Sequence, residues 1–168
     1  MTQAPEKQSP IHPTDDQARS LARDLIDTAR YAALAVIGPD GAPVLSRVGF
    51  GTSAQGQPVS LISDLAAHAQ ALRANPLCSL MVGEPGPKGD PLTHPRLTLQ
   101  ARACFVTRAD AAYEEMAAHY LRDHPKSKLY IGFADFNLVQ FDLTAGFLNG
   151  GFGQAFQLTP DDLARATS

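Results

Sequence analysis

The segment Arg96–Val106 has the most regular alternation of apolar and polar residues in the chain, and it constrains the fold more than any other segment. The apolar positions are Leu97, Leu99, Ala101, Ala103 and Phe105, and the polar positions between them are Arg96, Thr98, Gln100 and Arg102. Successive side chains of a β-strand point to opposite faces of its sheet. The segment therefore predicts a strand with one face in a core and the other toward water, a ligand or a partner.

Shorter runs rich in apolar residues, separated by glycine, proline and polar turns, predict the other strands. They cover residues 31–37, 43–52, 58–63, 78–82, 136–143 and 146–148. Six or seven short strands interrupted by a few helices predict an α+β fold that is mainly β. We expect a small antiparallel β-barrel with helices packed against it.

Apolar residues at helical spacing predict the helices. They cover residues 15–30, 65–74 and about 107–124. Thr14 with Gln17 predicts a capping box at the start of the first helix, and Thr107 with Asp110 predicts the start of the third. Thr159-Pro160-Asp161-Asp162 has the cap, first-turn proline and acidic residues of a last helix start.

The length of 168 residues suits one compact domain. Hydrophobic residues make up 44% of the chain, close to a globular average, so the chain as a whole is not disordered. Residues 1–13 contain three prolines and no periodic pattern, and they predict a flexible N-terminal arm. Residues 14–168 are then expected to form the single domain.

Charge and composition exclude several classes of function. The 14 Lys and Arg residues against 17 Asp and Glu give a net charge of −3, which disfavours binding to nucleic acid. No apolar run approaches the ~20 residues of a membrane span, and the first residues lack the pattern of a signal peptide, so we expect a cytoplasmic protein. Two cysteines, Cys78 and Cys104, predict neither a disulfide framework nor a zinc site.

The common catalytic motifs are absent: the sequence has no phosphate-binding P-loop, no nucleophile elbow and no dinucleotide-binding glycine motif. His119 and His124 are five residues apart on a predicted helix and therefore lie on different faces, which makes a shared metal ion improbable. We expect both to be solvated surface residues. No metal site is predicted.

Three stretches read together point to a family: LISDLAAHAQALRANPLCSLMV, GDPLTHPRLTLQARA and GGFGQAF. They resemble the FMN-binding split-barrel proteins related to pyridoxamine 5′-phosphate oxidase, and in particular the branch that contains bacterial haem-utilisation proteins. The resemblance extends from about Leu21 to Phe156. It implies a split β-barrel, a homodimer, and FMN in a cleft between the two chains.

The resemblance also implies which residues bind the cofactor. They are Ser46, Arg47, Val48, Ile62, Ser63, His68, Arg96 and Gln100. Ser46 and Arg47 are adjacent on a strand and point to opposite faces, so we expect Arg47 to bind the FMN phosphate and Ser46 to lie toward the isoalloxazine ring or to contribute through its backbone. His68 is expected to add a positive charge, and Arg96 and Gln100 to meet the flavin edge or the second subunit.

Three functions remain open from the sequence. The first is an FMN-dependent oxidoreductase, in which the cofactor supplies the chemistry and no side chain has an assigned catalytic role. The second is haem binding or haem degradation, suggested by the branch that the chain resembles. The third is a flavin-binding module without catalytic activity. The substrate, the electron donor and the electron acceptor are not predicted.

Overall fold

The structure is a computed structural model that describes residues 10–165. The described part has nine strands: β1 Ile11–His12, β2 Tyr31–Ile37, β3 Pro43–Gly49, β4 Gly51–Thr52, β5 Pro58–Ser63, β6 Leu77–Val82, β7 Arg96–Val106, β8 Phe136–Asn149 and β9 Ala155–Leu158. Its four α-helices are α1 Asp16–Thr28, α2 Ala67–Ala74, α3 Tyr113–Asp123 and α4 Pro160–Leu163. Two single turns of 3-10 helix cover Pro91–Thr93 and Pro125–Leu129.

The strands form one sheet in the order β1-β9-β8-β7-β6-β2-β3, and β5 pairs with β4 and with β8. All pairs are antiparallel except β1 with β9. The long strand β8 pairs with β5 along its first part and with β9 along its last part, while β7 follows it on the other side. The sheet thus divides at β8, and the predicted α+β split barrel is confirmed.

The alternation in β7 is confirmed side chain by side chain. Leu97, Leu99, Ala101 and Ala103 are buried, and Arg102 and Gln100 on the opposite face are exposed. Helix α1 covers the buried face through three residues at helical spacing: Ala18, Ala22 and Ile26. A second, smaller cluster packs α3 against the opposite part of the barrel through Val59, Leu61, Tyr113, Met116, Ala117, Tyr120 and Leu138.

The start of α1 differs from the prediction. Asp15 caps the helix by accepting a hydrogen bond from the backbone N–H of Ala18 at 2.7 Å. The hydroxyl of Thr14 instead donates to the carbonyl of Gln157 in β9 at 3.0 Å. The predicted capping box of Thr14 and Gln17 is therefore wrong, because Thr14 is used to join the start of the domain to the sheet.

Other elements also differ from the prediction. Helix α3 begins at Tyr113 rather than at residue 107, because the Asp110 carboxylate accepts both the backbone and the hydroxyl hydrogen bonds of Thr107 and forms a separate turn. The two strands predicted over residues 136–148 are one strand, whose register against β7 shifts at Gln100 and Ala101. Strands β1 and β9 were not predicted; β1 lies in the expected arm, of which residues 1–9 are outside the described part.

Asp27 links three parts of the fold. Its carboxylate accepts hydrogen bonds from Arg23 on α1 and Arg165 after α4, each at 2.8 Å. Arg23 also donates to the carbonyls of Gly56, in the turn before β5, and Leu163. Burial alone would raise the pKa of the Asp27 carboxyl, but the two guanidinium groups outweigh it and hold the pKa below the usual range.

We expect Asp27→Asn to lower the free energy of unfolding by roughly 1 kcal/mol at pH 7, the scale of a partly exposed ion pair. Because the pKa of Asp27 is lower in the folded chain, its charge stabilises the fold above the unfolded pKa of about 4, and this contribution is lost as the pH falls through the folded value. Urea unfolding at pH 7 and near pH 2.5 measures both effects. Asp24→Asn, on an exposed part of the same helix, is the control; equal losses for the two variants at pH 7 would contradict the assignment.

Candidate functional site

The face of the sheet opposite α1 is open to solvent in the described part of the chain, and we call it the outer face. Two rows of neighbouring residues define it across β3, β2, β6, β7 and β8. They are Leu45, Ala35, Ser79, Gln100 and Ala145 in one row, and Arg47, Ala33, Met81, Thr98 and Phe147 in the other. Leu45 is 73% exposed, Met81 46% and Phe147 39%. The outer face is therefore more apolar than the polar positions of β7 predict.

A groove of about 440 Å³ lies at one end of the outer face. Its lining includes Ile37, Pro43 and Leu77, with Ser79 and Gln100 as polar groups. A mainly apolar concavity with a few polar groups is the usual form of a small-molecule site. Of the eight residues predicted to bind the cofactor, all of which the structure describes, only Gln100 lines this groove.

Ser46 and His68 are brought together on the other side of β3. The Nδ1 atom of His68 lies 3.1 Å from the hydroxyl of Ser46, at the first turn of α2. Partial burial lowers the pKa of His68, so the imidazole is mainly neutral at pH 7. The positive charge expected of His68 beside a phosphate stays a prediction.

Arg47 lies on the outer face, away from Ser46. Its guanidinium carbon is 5.3 Å from the centre of the Tyr31 ring, a cation–π distance. The expected separation of the two neighbouring side chains is confirmed. A phosphate held by Arg47 is therefore not also held by the Ser46 hydroxyl of the same chain.

Val48 and Ile62 are core residues, with exposures of 7% and 2%. Their side chains pack in the main hydrophobic cluster, so a cofactor contact through them involves only their backbone. Their place in the cofactor site stays a prediction.

Ser63 ends β5, close to the start of α2, and it is already hydrogen-bonded. Its hydroxyl donates to the Asp135 carboxylate at 2.6 Å. Nearby, Arg73 donates to the Asp64 carboxylate through Nε at 3.0 Å and a terminal nitrogen at 2.8 Å. These hydrogen bonds hold the pKa of Asp64 below its usual range, although slight burial opposes the shift.

Arg96 is directed into the loop before β7. It donates to the carbonyl of Leu92 at 2.9 Å and to that of His94 at 3.4 Å. In the described chain it therefore orders this loop, and its part in a flavin contact remains a prediction.

His124 is not the solvated surface residue that the sequence suggests. Its Nε2 atom lies 2.8 Å from the carbonyl of Phe50, and its ring stacks on Tyr120 with centroids 4.3 Å apart. His119 is also partly buried, with Nε2 at 2.6 Å from Arg122. Both histidines are parts of the α3 packing.

The sequence model of the pyridoxamine 5′-phosphate oxidase family matches residues 19–149, most of the chain. The chain belongs to this family. The split barrel described above agrees with that membership, as does the helix-covered inner face of the sheet.

Among relatives in this family, several are haem proteins. The chain is 36% identical over 105 residues to the chloroplastic non-canonical haem oxygenase HOZ of Arabidopsis thaliana, covering 61% of this chain and 30% of the plant protein. It is 32% identical over 134 residues to the haem oxygenase HutZ of Vibrio cholerae, covering 77% of this chain and 74% of HutZ. A solved haem-binding protein from Mycobacterium smegmatis superposes with a TM-score of 0.78 at 27% identity, covering 91% of this chain and 61% of that one.

The residues expected to bind FMN lie in several separate places of the single chain. Ser46 and His68 are behind β3, Arg47 is on the outer face, and Ser63 is bonded to a carboxylate. Their role as one phosphate site stays a prediction. The apolar groove, in contrast, fits the planar apolar body of a ligand. None of the helices in residues 10–165 has both the length and the apolar character needed to cross a membrane.

Proposed function

We propose that this protein binds haem at the outer face of its split barrel and takes part in haem handling. The observation that carries the proposal is the groove of about 440 Å³ on an exposed, apolar sheet face. A porphyrin ring is planar and largely apolar, and burying it there removes apolar surface from water on both partners. The haem oxygenases among the relatives support haem over other planar ligands.

Haem, when bound, supplies the iron chemistry, including the activation of oxygen. The chain supplies the surroundings: Ile37, Pro43 and Leu77 line the groove and would contact the apolar ring and exclude water from it. Arg47, exposed on the same face, offers a guanidinium to a haem carboxylate. A haem oxygenase activity is the enzymatic form of this proposal.

We further propose that two copies of the chain pair through the outer face. Leu45, Met81 and Phe147 expose apolar surface there, and an uncovered apolar face of this kind marks an interaction site. A twofold dimer places the same face of each chain against the other, which covers both at once. The bound ligand is then partly enclosed by the second copy.

FMN is the second candidate, with an FMN-dependent oxidoreductase as the corresponding activity. It is supported by membership of the oxidase family and by the neighbouring polar side chains of Ser46 and His68. If FMN binds but no reaction is catalysed, the protein is a flavin-binding module without enzymatic activity.

Titration of the purified protein with haemin and with FMN distinguishes the candidates. We expect a saturable shift of the haem absorption band and no saturable change in flavin fluorescence. Leu77→Glu should weaken haem binding about tenfold or more, because a ring bound in the apolar groove would have to desolvate the new carboxylate. Leu129→Glu, at an exposed position outside the outer face, is the matched control. Saturable FMN binding without haem binding would favour the second candidate, and equal haem affinity of both variants would remove the groove from the site.

A further inference from the structure

The corner where β5 meets α2 contains three kinds of group that bind anions in proteins. They are the hydroxyl of Ser63, the guanidinium of Arg73 and the amino end of α2, which starts at Ala67. Ala66, at the cap position of the helix, gives no side-chain cap to the first amides. These groups alone, without the surrounding acidic residues, are the donors that a phosphate requires.

Two carboxylates of the chain itself already use the Ser63 hydroxyl and the Arg73 guanidinium. Asp135 accepts the Ser63 hydroxyl at 2.6 Å, and Asp64 accepts two hydrogen bonds from Arg73 at 3.0 and 2.8 Å. The backbone holds the two acids together, since the N–H of Asp64 donates to the carbonyl of Asp135 at 2.7 Å. A phosphate entering here meets two carboxylates, and like charges at close range repel each other.

Arg73 is also fixed by an aromatic ring. Its guanidinium carbon lies 3.9 Å from the centre of the Phe105 ring, well within cation–π range. Turning Arg73 toward a ligand would break this contact and the pair with Asp64 together. The guanidinium is therefore committed to the fold in the described conformation.

We infer that Asp64 and Asp135 are specificity-determining residues that exclude phosphate-bearing ligands such as FMN from the β5–α2 corner. The low pKa of Asp64, caused mainly by the Arg73 hydrogen bonds, agrees with a carboxylate that stays charged at neutral pH. The inference does not depend on haem binding. It concerns only whether the phosphate of a flavin contributes to its affinity.

The test compares FMN with riboflavin, which lacks the phosphate, by flavin fluorescence. In the wild-type protein the two are expected to bind equally or not at all. In the double variant Asp64→Asn/Asp135→Asn, Arg73 and Ser63 lose their charged partners, and FMN should bind at least tenfold more tightly than riboflavin, the effect of one charge-assisted hydrogen bond. Adding Arg73→Gln to the double variant should abolish this preference.

A control with the same change of net charge carries Asp24→Asn and Asp161→Asn, two exposed positions away from the corner. It should show no preference for FMN.

The inference is overturned if the double variant binds FMN no better than riboflavin, or if the control gains the same preference. The wild-type protein tests it without any variant: a tenfold or greater preference for FMN overturns it, whereas equal or absent binding of the two flavins supports it. Haem binding, measured separately, bears on the proposed function alone.

Discussion

Replacing Met81 with arginine is expected to convert the proposed homodimer into monomers. Met81 lies in the middle of the outer face, between Ala33 of β2 and Thr98 of β7, and it is 46% exposed in the single chain. In a twofold dimer one substitution brings two guanidinium groups into the same interface. An unpaired charge in a desolvated interface costs several kcal/mol, so dissociation should become at least a hundredfold more favourable.

Sedimentation of the wild-type and variant proteins at micromolar concentration measures this change. Leu65→Arg is the control, because Leu65 is 81% exposed but lies before α2 and not on the outer face. We expect this control to sediment like the wild-type protein. A Met81→Arg protein that remains a dimer, or a wild-type protein that is a monomer, would show that the outer face is not the contact between copies.

The elements that are predicted well from the sequence are those whose pattern is long or sharply bounded. Strand β7 is predicted to the residue, because polar and apolar residues alternate from Arg96 to Ala103 and the apolar residues of this run are buried as expected. Strands β2 and β5 are predicted with the observed bounds, since a turn with glycine and proline follows β2 and a turn with glycine precedes β5. These signals are local, and the surrounding fold does not override them.

The elements that are missed depend on contacts between distant parts of the chain. Strand β9 has only four residues and is ordered by pairing with β8 on one side and β1 on the other. Helix α3 starts late because Asp110 closes a turn with Thr107 before the helix begins. The same residue types cap a helix and close a turn, so their spacing alone does not separate the two outcomes.

The candidate site is predicted less well than the fold. The sequence brings attention to Ser46 and His68, and these two side chains do meet. It gives no sign that the Ser63 hydroxyl is used by Asp135, a residue 72 positions away. The apolar character of the outer face does have a signal in the sequence. Every residue of β2 is apolar, as expected for a strand with both faces covered.

Truncating Phe141 to alanine is expected to cause the largest loss of stability among single substitutions considered for this protein. Phe141 lies on β8 opposite Ala103 of β7, is fully buried and belongs to the main hydrophobic cluster. A buried phenylalanine replaced by alanine leaves a cavity that neighbouring strands fill only in part, and the free energy of unfolding should fall by about 3–5 kcal/mol. This is a large share of the ~5–15 kcal/mol that holds a typical domain folded.

Urea unfolding at one fixed protein concentration measures the loss, since pairing of chains makes the apparent stability depend on concentration. Phe152→Ala is the matched control: it removes the same atoms from a side chain that is 95% exposed in the turn between β8 and β9, and its effect should stay within about 0.5 kcal/mol. Phe141→Leu, which keeps most of the volume, should cost less than alanine because the cavity is smaller. If the Phe141→Ala protein lost no more stability than the Phe152→Ala protein, β8 would not lie at the centre of the core, and the division of the sheet at this strand would have to be reconsidered.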